Sequence, residues 1–371
     1  MRVLVVNAGS SSLKLALLDP EHRLATRTVE AWTGADHLEP IEEFLADLDG
    51  VADIEAIGHR VVHGGPRYAG ATLIDDDVVT DLESISDLAP LHNPRAVAGI
   101  RAVRRLLPDL PAVAAFDTAF HAGLPAAART YALPREWNTR FALRRYGFHG
   151  LSHGYAVRRA AALVGRPVED LRIVSCHLGA GGSLAAVREG RSVDTTMGFT
   201  PLAGLVMQTR SGSIDPGLLL WLLQHAGADL ADLTRVLEHE SGLKGLSGTS
   251  GDLREVLAAR AAGDPDAALA FDVYVHRLVR EIGAMAASAG GLDVLVFTGG
   301  VGEHSPDVRA GVAARLGHLG VAIRADRNDA VVEGELSAPG AAVRTVVVTA
   351  AEDVEIARQT RERLDDLRRP G

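Results

Sequence analysis

A single cysteine, Cys176, stands in the 371 residues, so no disulfide can form within the chain. That fits a reducing compartment. Cys176 lies in the apolar run Ile173-Val174-Ser175-Cys176 and reads as a small buried residue rather than a nucleophile. No apolar stretch approaches the roughly 20 residues that a helix needs to cross a bilayer. The opening run Met1-Arg2-Val3-Leu4-Val5-Val6 ends in a Gly/Ser turn and lacks the apolar core and cleavage site of a secretion signal. A cytoplasmic location is the expectation. A basic excess is missing too. The formal net charge of −10 argues against nucleic-acid binding, although local basic residues can still meet an anion. Neither the P-loop pattern G-x-x-x-x-G-K-[ST] nor the Rossmann fingerprint is present.

What is present is a large apolar share, 47 %, enough for a sizeable core, in a length that suits two domains. Short β-branched runs alternate with helical patterns. Strands are expected at 3–6, 13–18, 56–62, 112–116, 173–177, 183–187, 294–297 and 343–348. Helices are expected at 94–107, 152–163, 217–225, 252–260, 267–288 and 352–367, among others. This interleaving is an α/β pattern. Strands 3–6 and 13–18 are joined by a tight turn, as are 173–177 and 183–187, so both pairs are hairpins and the sheets are mixed. The hairpins resemble each other: V-L-V-V-N-A-G-S-S-S-L-K-L-A-L against I-V-S-C-H-L-G-A-G-G-S-L-A-A-V, with Gly9 and Gly179 at matching places 170 residues apart. Two related halves follow, with a boundary expected within 122–146.

Three strand-to-turn junctions are rich in glycine: Asn7-Ala8-Gly9-Ser10-Ser11-Ser12, His177-Leu178-Gly179-Ala180-Gly181-Gly182 and Thr298-Gly299-Gly300-Val301-Gly302-Glu303. Glycine lets backbone N–H groups crowd around an anion, and serine hydroxyls add donors. Lys14 follows the first loop at strand spacing and adds a positive charge. Any one such loop is explained as an ordinary turn; three in an α/β chain point to phosphate. A second group is dense in His, Arg and Asp: His59-Arg60-Val61-Val62-His63, Pro90-Leu91-His92-Asn93, Phe116-Asp117, Phe148-His149-Gly150 and Thr209-Arg210-Ser211. Strand ends in open α/β sheets are where ligands bind. A lone histidine there is commonly structural, but five such clusters are hard to explain that way.

In this order the segments closely resemble the acetate kinase family. The resemblance runs from N-A-G-S-S-S-L-K through H-R-V-V-H-G-G, L-A-P-L-H-N-P, F-D-T-A-F-H, Y-G-F-H-G, M-G-F-T-P-L, T-R-S-G-S-I-D-P and F-T-G-G-V-G-E to A-E-D-V-E-I-A, essentially the whole chain. It implies the fold shared by sugar kinases, heat-shock chaperones and actin. That fold is α/β, with two duplicated actin-like, ribonuclease H-like domains whose mixed sheets lie around a nucleotide cleft. The domains are expected at 1–145, rejoined by the C-terminal helix 355–371, and at 146–354. The implied reaction is reversible, direct in-line phosphoryl transfer from ATP to acetate, giving acetyl phosphate and ADP. Propionate or another short acyl acceptor is the alternative. Mg2+, with Mn2+ as a substitute, is the implied cofactor, and a homodimer the implied assembly. Neither nucleic acid nor a membrane is an expected partner.

The catalytic set implied is Arg60, His92, Asp117, His149 and Arg210. Acetate is already ionised near neutral pH, so catalysis should consist mostly of positioning and of neutralising repulsion between anions. Arg60 and Arg210 are expected to hold the carboxylate and the phosphoryl oxygens, since guanidinium forks fit both. His149 is expected to hydrogen-bond the transferring group. The family pattern gives Asp117 an acid/base position; an orienting role suits it better, because acetate has no proton to lose. Asn7 and Glu352 match metal positions. Ser10, Ser12, Lys14, His177, Leu178, Gly179, Ala180, Gly181, Asp252, Leu253, Arg254, Gly300, Val301, Gly302, Glu303 and His304 match nucleotide positions. Asp252 also opens D-x-x-E ahead of a helix, a capping box. Val62, Leu91, Phe148 and Pro201 are expected around the acyl group.

Four places depart from the family pattern: Ala180 in H-L-G-A-G, Gln208 in M-Q-T-R, Ala203 in P-L-A-G, and Ala350-Ala351 ahead of Glu352. Two rival readings are weaker. G-x-S-x-G at 150–154 would suit a serine hydrolase, but that motif needs a core strand just before it, and R-R-Y-G-F-H precedes it. A non-enzymatic nucleotide clamp leaves Arg60, His92, His149 and Arg210 without a purpose.

Overall fold

A computed structural model describes residues 1–9, 12–30, 32, 38–48, 53–90 and 92–369. Six strands form the first sheet: Val3–Ala8 (β1), Ser12–Asp19 (β2), His22–Glu30 (β3), Ala56–Val61 (β4), Thr72–Leu73 (β5) and Ala112–Phe116 (β6), in the order β3-β2-β1-β4-β6-β5. Six more form the second: Arg172–Leu178 (β7), Gly182–Arg188 (β8), Arg191–Thr195 (β9), Val294–Thr298 (β10), Gly334–Glu335 (β11) and Arg344–Val347 (β12), in the order β11-β12-β10-β7-β8-β9. Taken from its other edge, the second order is β9-β8-β7-β10-β12-β11, which repeats the first strand for strand. Each sheet has an antiparallel meander of three, two parallel neighbours and a two-residue antiparallel edge. The duplication hinted at by Gly9 and Gly179 is therefore complete in the topology.

The strands at the centre are apolar because both of their faces are covered. Leu4 and Val6 of β1 meet the core that includes Val97, Ile100 and Val103 of the helix Asn93–Leu106. Val3 and Val5 meet Ile356, Ala357 and Leu364 of the C-terminal helix Glu352–Arg368. That helix packs so closely on β4 that a Cβ at Gly58 would stand 2.6 Å from Thr360 Oγ1 and 2.7 Å from Ile356 Cγ2. In the second sheet Val174, Cys176 and Leu178 share a core with Phe271, Val275, Leu278 and Ile282 of the helix Pro265–Ala289. Asp264 caps that helix by accepting from Asp266 and Ala267 N–H, and Gly290 ends it in the left-handed conformation at φ 77°.

Strands β3, β5, β9 and β11 lie outside the strands expected from sequence. β3 carries charged residues along its length and buries none of them, so it has no apolar run; pairing with β2 is what extends it. By contacts the chain divides into two compact units. One is Met1–Ala122 with Phe148–Tyr155 and Ala351–Gly371; the other is Gly123–Gly147 with Ala156–Ala350. The short segment that carries His149 thus belongs with the first sheet.

His59 of β4 alternates with Ile57 and Val61 and is only 2 % exposed. Among the described residues its Nε2 has no hydrogen-bond partner. Burial lowers its pKa to about 3. The folded chain therefore keeps this imidazole neutral, while the unfolded chain protonates it below about pH 6.5. Its contribution is present above the unfolded pKa and is lost as pH falls toward 3. The variant His59→Leu is expected to lose about 2 kcal/mol less stability than the wild type between pH 7 and pH 5, read by urea unfolding. Equal losses in both proteins would contradict this.

Candidate active site

Asn7 and Arg60 sit near the carboxyl ends of the parallel neighbours β1 and β4, in which Val6 is level with His59. Asp117 follows β6 directly, and Glu352 opens the C-terminal helix. The four side chains form a continuous set. Arg60 Nε and Nη2 donate to Asp117 Oδ1 and Oδ2 at 3.1 and 2.7 Å, and Arg60 Nη1 donates to Asn7 Oδ1 at 3.1 Å. Asn7 Nδ2 reaches Glu352 Oε2 at 3.4 Å, and that oxygen lies 3.9 Å from Arg60 Nε. Asp117 is 1 % exposed. Burial pushes its carboxyl up, the Arg60 guanidinium opposes this, and Glu352 adds to the upward push. Burial also works against the Arg60 charge, but Asp117 and Glu352 outweigh it and raise the Arg60 pKa above its ordinary value. The forked contact, with both carboxylate oxygens accepting, is that of a carboxylate aiming a guanidinium.

Gly150 N donates to the Asp117 carbonyl at 2.8 Å, and a Cβ at Gly150 would collide with that oxygen. The preceding residue, His149, is held at φ 58°, an uncommon backbone for a residue with a side chain. Phe148 is 1 % exposed, its ring edge-on to His63 at 5.4 Å, and its carbonyl lies 3.2 Å from His121 Nε2. Val62 follows β4 and is buried. Asn93 exchanges two bonds with the His63 backbone, at 3.2 and 3.0 Å, which ties the loop bearing His92 to the end of β4. Lys14 is exposed on β2, opposite Asn7 in register, and Ser12 accepts from Gly9 N at 2.8 Å through its carbonyl. Ser10 and Leu91 lie outside the described residues. Ser152 is buried in the first turn of the helix Gly150–Val164 with no strand leading into it, which removes the nucleophile-elbow context.

The second unit holds a cavity of about 550 Å3. Gly179 and Ala180 of the β7–β8 hairpin, Asp252, Leu253 and Arg254, and Gly300, Val301 and His304 all line it. Such a volume suits a small ligand of nucleotide size. At Gly299, φ 79°, a Cβ would stand 2.7 Å from the Leu178 carbonyl, so glycine lets the β10 junction pass close to the hairpin. Asp252 caps the helix Leu253–Ala261 by accepting from Arg254 N at 2.9 Å; bonding from the Arg254 side chain holds its pKa at about 2. The capping box is not closed, because Glu255 turns to Ser250 N and Oγ, at 3.3 and 2.7 Å.

Ser12 and Lys14 of the first unit, and five residues of the second unit expected at the nucleotide, do not line the cavity. Leu178 is in the core, and His177 and Gly181 belong to the hairpin, at the ends of which His177 pairs with Ser183. The carbonyls of Gly302 and Glu303 accept from buried Arg309, both at 2.8 Å. The Glu303 side chain, 9 % exposed, accepts from Ala350 N at 3.0 Å. Sequence reasoning passed over the apolar wall of Leu243, Leu257 and Tyr274, as well as Ser305, Pro306 and Asp307. Gln208 also lines the cavity, and its N–H donates to the Ala180 carbonyl at 3.1 Å, so two of the departures from the family pattern are neighbours.

Arg210 is half-buried. Its Nη1 donates to the Pro201 carbonyl at 3.0 Å and lies 3.6 Å from Met207 Sδ. Burial lowers its pKa, with the Glu238 charge opposing. Among the described residues no carboxylate forms an ion pair with it. Together, Arg60 and Arg210 are two guanidinium groups in sheltered positions, one braced by carboxylates and one without them.

Among the described residues no helix is long and apolar enough to cross a membrane. The chain is 43 % identical to the acetate kinase of Shouchella clausii over 391 aligned positions, covering 97 % of this chain and 98 % of that one. Among solved structures, the acetate kinase of Porphyromonas gingivalis matches with a TM-score of 0.92 at 36 % identity, over 98 % of this chain and 99 % of that one. A propionate kinase from Francisella tularensis matches with a TM-score of 0.89 at 35 % identity, over 97 % and 99 %. The model of the acetokinase family matches residues 26–358, and with these relatives along its whole length the chain belongs to that family of phosphotransferases.

Proposed function

We propose that the protein transfers the γ-phosphoryl group of ATP directly to acetate, giving acetyl phosphate and ADP, and runs the reverse reaction. The observation that carries this reading is the bracing of Arg60. A guanidinium has five N–H donors; three of Arg60's are engaged by Asp117 and Asn7. One N–H on each Nη then remains to meet an anionic oxygen, in an orientation set by Asp117. Arg210 supplies the second positive charge. Both lower the repulsion between carboxylate and phosphate that forms the main barrier. His92 and His149 complete the set as hydrogen-bond partners of the phosphoryl oxygens. Asp117 acts on Arg60 and needs to take no proton.

Asn7 and Glu352 fit Mg2+ by chemistry. Both carry hard oxygens and their side chains adjoin, Asn7 Nδ2 facing Glu352 Oε2 at 3.4 Å and Asn7 Oδ1 keeping a lone pair beyond the one that accepts from Arg60. When bound, the ion neutralises phosphate charge. The cavity of the second unit takes the nucleotide, its apolar wall of Leu243, Leu257 and Tyr274 suiting a flat base. Val62 and Phe148, both buried in the first unit, are the residues that flank the acyl group in this reading. An added methylene changes affinity by only ~1–3 kcal/mol, so propionate is the alternative acceptor.

Incubation with ATP, Mg2+ and hydroxylamine should yield acyl hydroxamate, most with acetate, less with propionate and least with butyrate. No product from any of the three acids would refute the proposal.

The homodimer belongs to the same reading. The helix Pro216–His225 buries no residue, and Leu218, Leu220, Trp221 and Leu223 are 44, 59, 54 and 41 % exposed. Such an apolar face calls for a cover, and a second copy provides one. Light scattering should find a dimer for the wild type and a monomer for Leu220→Asp; a monomeric wild type would contradict this.

A further inference from the structure

Among the described residues no carboxylate braces Arg210 as Asp117 braces Arg60. The structure offers a substitute made of backbone. Pro201 O accepts from Arg210 Nη1 at 3.0 Å, so the guanidinium is only as well placed as the loop that carries Pro201. That loop, residues 195–201, is itself gripped from one side. Arg145 Nη1 lies 3.0, 3.2 and 3.1 Å from the carbonyl oxygens of Thr195, Thr196 and Met197. Three successive carbonyls thus converge on one cation, and among the described residues Arg145 has no carboxylate ion pair. The Tyr131 hydroxyl accepts from Phe199 N at 2.7 Å, and Gly198 passes so near that a Cβ there would collide with the hydroxyl. Tyr146 N and Gly147 N both donate to the Gly198 carbonyl, at 3.1 and 3.3 Å.

We infer that Arg145 and Tyr131 are positioning residues for the acyl-acceptor half of the reaction: they hold residues 195–201 so that the Pro201 carbonyl fixes the Arg210 guanidinium. The inference rests on the phosphoryl-transfer reading only in naming the acceptor; the grip itself is a matter of geometry. The charge matters as well as the shape. Carbonyl dipoles that face one another repel unless a cation sits among them, and a neutral side chain at 145 would leave them opposed. Neither residue lines the nucleotide cavity, so its binding should be indifferent to them.

The test is steady-state kinetics on Tyr131→Phe, Arg145→Met and Arg145→Lys beside the wild type, with each substrate varied in turn. Tyr131→Phe is expected to lower kcat/KM for acetate about tenfold and Arg145→Met about a hundredfold, the order expected for a displaced catalytic group. Arg145→Lys should recover part of the loss, since an ammonium can donate to the same carbonyls. KM for ATP should stay within about twofold throughout, since the nucleotide walls are untouched. Equal losses toward both substrates, or a wild-type acetate response in Arg145→Met, would overturn the inference. Hydrogen exchange reads the same claim without turnover, so an inactive wild type would refute the function and leave this measurement standing. Exchange at residues 196–201 should rise in Tyr131→Phe while residues 299–307 keep wild-type rates. A uniform rise, or none, counts against the inference.

Discussion

Replacing Arg210 by alanine is expected to lower kcat by about 10³-fold while leaving stability unchanged or slightly higher. The two effects separate because of where the charge sits. Arg210 is half-buried, burial lowers its pKa, and its hydrogen bonds are to the Pro201 carbonyl and the Met207 sulfur. Its charge is therefore held at some cost of desolvation with no ion pair among the described residues to offset it. Removing it takes away that cost and one hydrogen bond to a carbonyl that is not deeply buried. A residue that weakens the fold while serving an anion is the pattern of a functional charge. Thermal melts and single-turnover kinetics on the same preparation check the pair of outcomes. A large fall in melting temperature with modest loss of kcat would make Arg210 structural.

Arg60→Ala should behave differently, losing activity by a similar factor and stability as well. Asp117 is 1 % exposed and has both oxygens on the Arg60 fork. Without the fork a buried carboxylate is left unpaired, which costs about 3–5 kcal/mol. The pH dependence identifies the cause. Burial already pushes the Asp117 carboxyl upward, with Arg60 opposing; taking Arg60 away lets it rise further. A carboxyl whose folded pKa lies above the unfolded value binds its proton more tightly in the fold. Its penalty is then fully present above the folded pKa and fades as pH falls toward the unfolded one, near 4. The stability deficit of Arg60→Ala should therefore be largest near pH 7 and shrink on acidification. The double variant Arg60→Ala/Asp117→Asn should regain stability at pH 7 and remain inactive. Denaturant titrations at pH 7 and pH 5 decide it: a deficit that ignores pH, or a double variant no more stable than the single, would contradict the account.

The duplicated fold was legible because its signal is local. Each hairpin carries its own apolar run and glycine turn, and Gly9 and Gly179 mark the same corner in β1–β2 and β7–β8. The residues proposed to meet anions were legible because they cluster in short segments at strand ends. What escaped was set by partners distant in sequence. β3 is a strand because β2 pairs with it, not because His22–Glu30 has an apolar pattern. Glu303 sits in a glycine-rich loop that reads as phosphate-binding, yet its carboxylate turns inward to Ala350 N. Gly302 is diverted in the same way by Arg309, whose guanidinium also bonds Asn328 Oδ1 at 2.8 Å. Leu243, Leu257 and Tyr274 belong to helices whose apolar spacing looks like ordinary core, and only the folding of three loops around them exposes a cavity wall. Gln208 is an oddity of sequence; its place beside Ala180 is a fact of the fold.

The central claim is that an acetate oxygen attacks the transferred phosphorus, so that the bridging oxygen of acetyl phosphate comes from acetate. Acetate labelled with 18O in both oxygens, incubated with the protein, Mg2+ and ATP, tests it by phosphorus NMR. The account predicts a new acetyl phosphate resonance displaced by the isotope shift of one 18O bonded to phosphorus, growing as ADP appears. Unshifted acetyl phosphate, or ADP formed with inorganic phosphate alone, would contradict it.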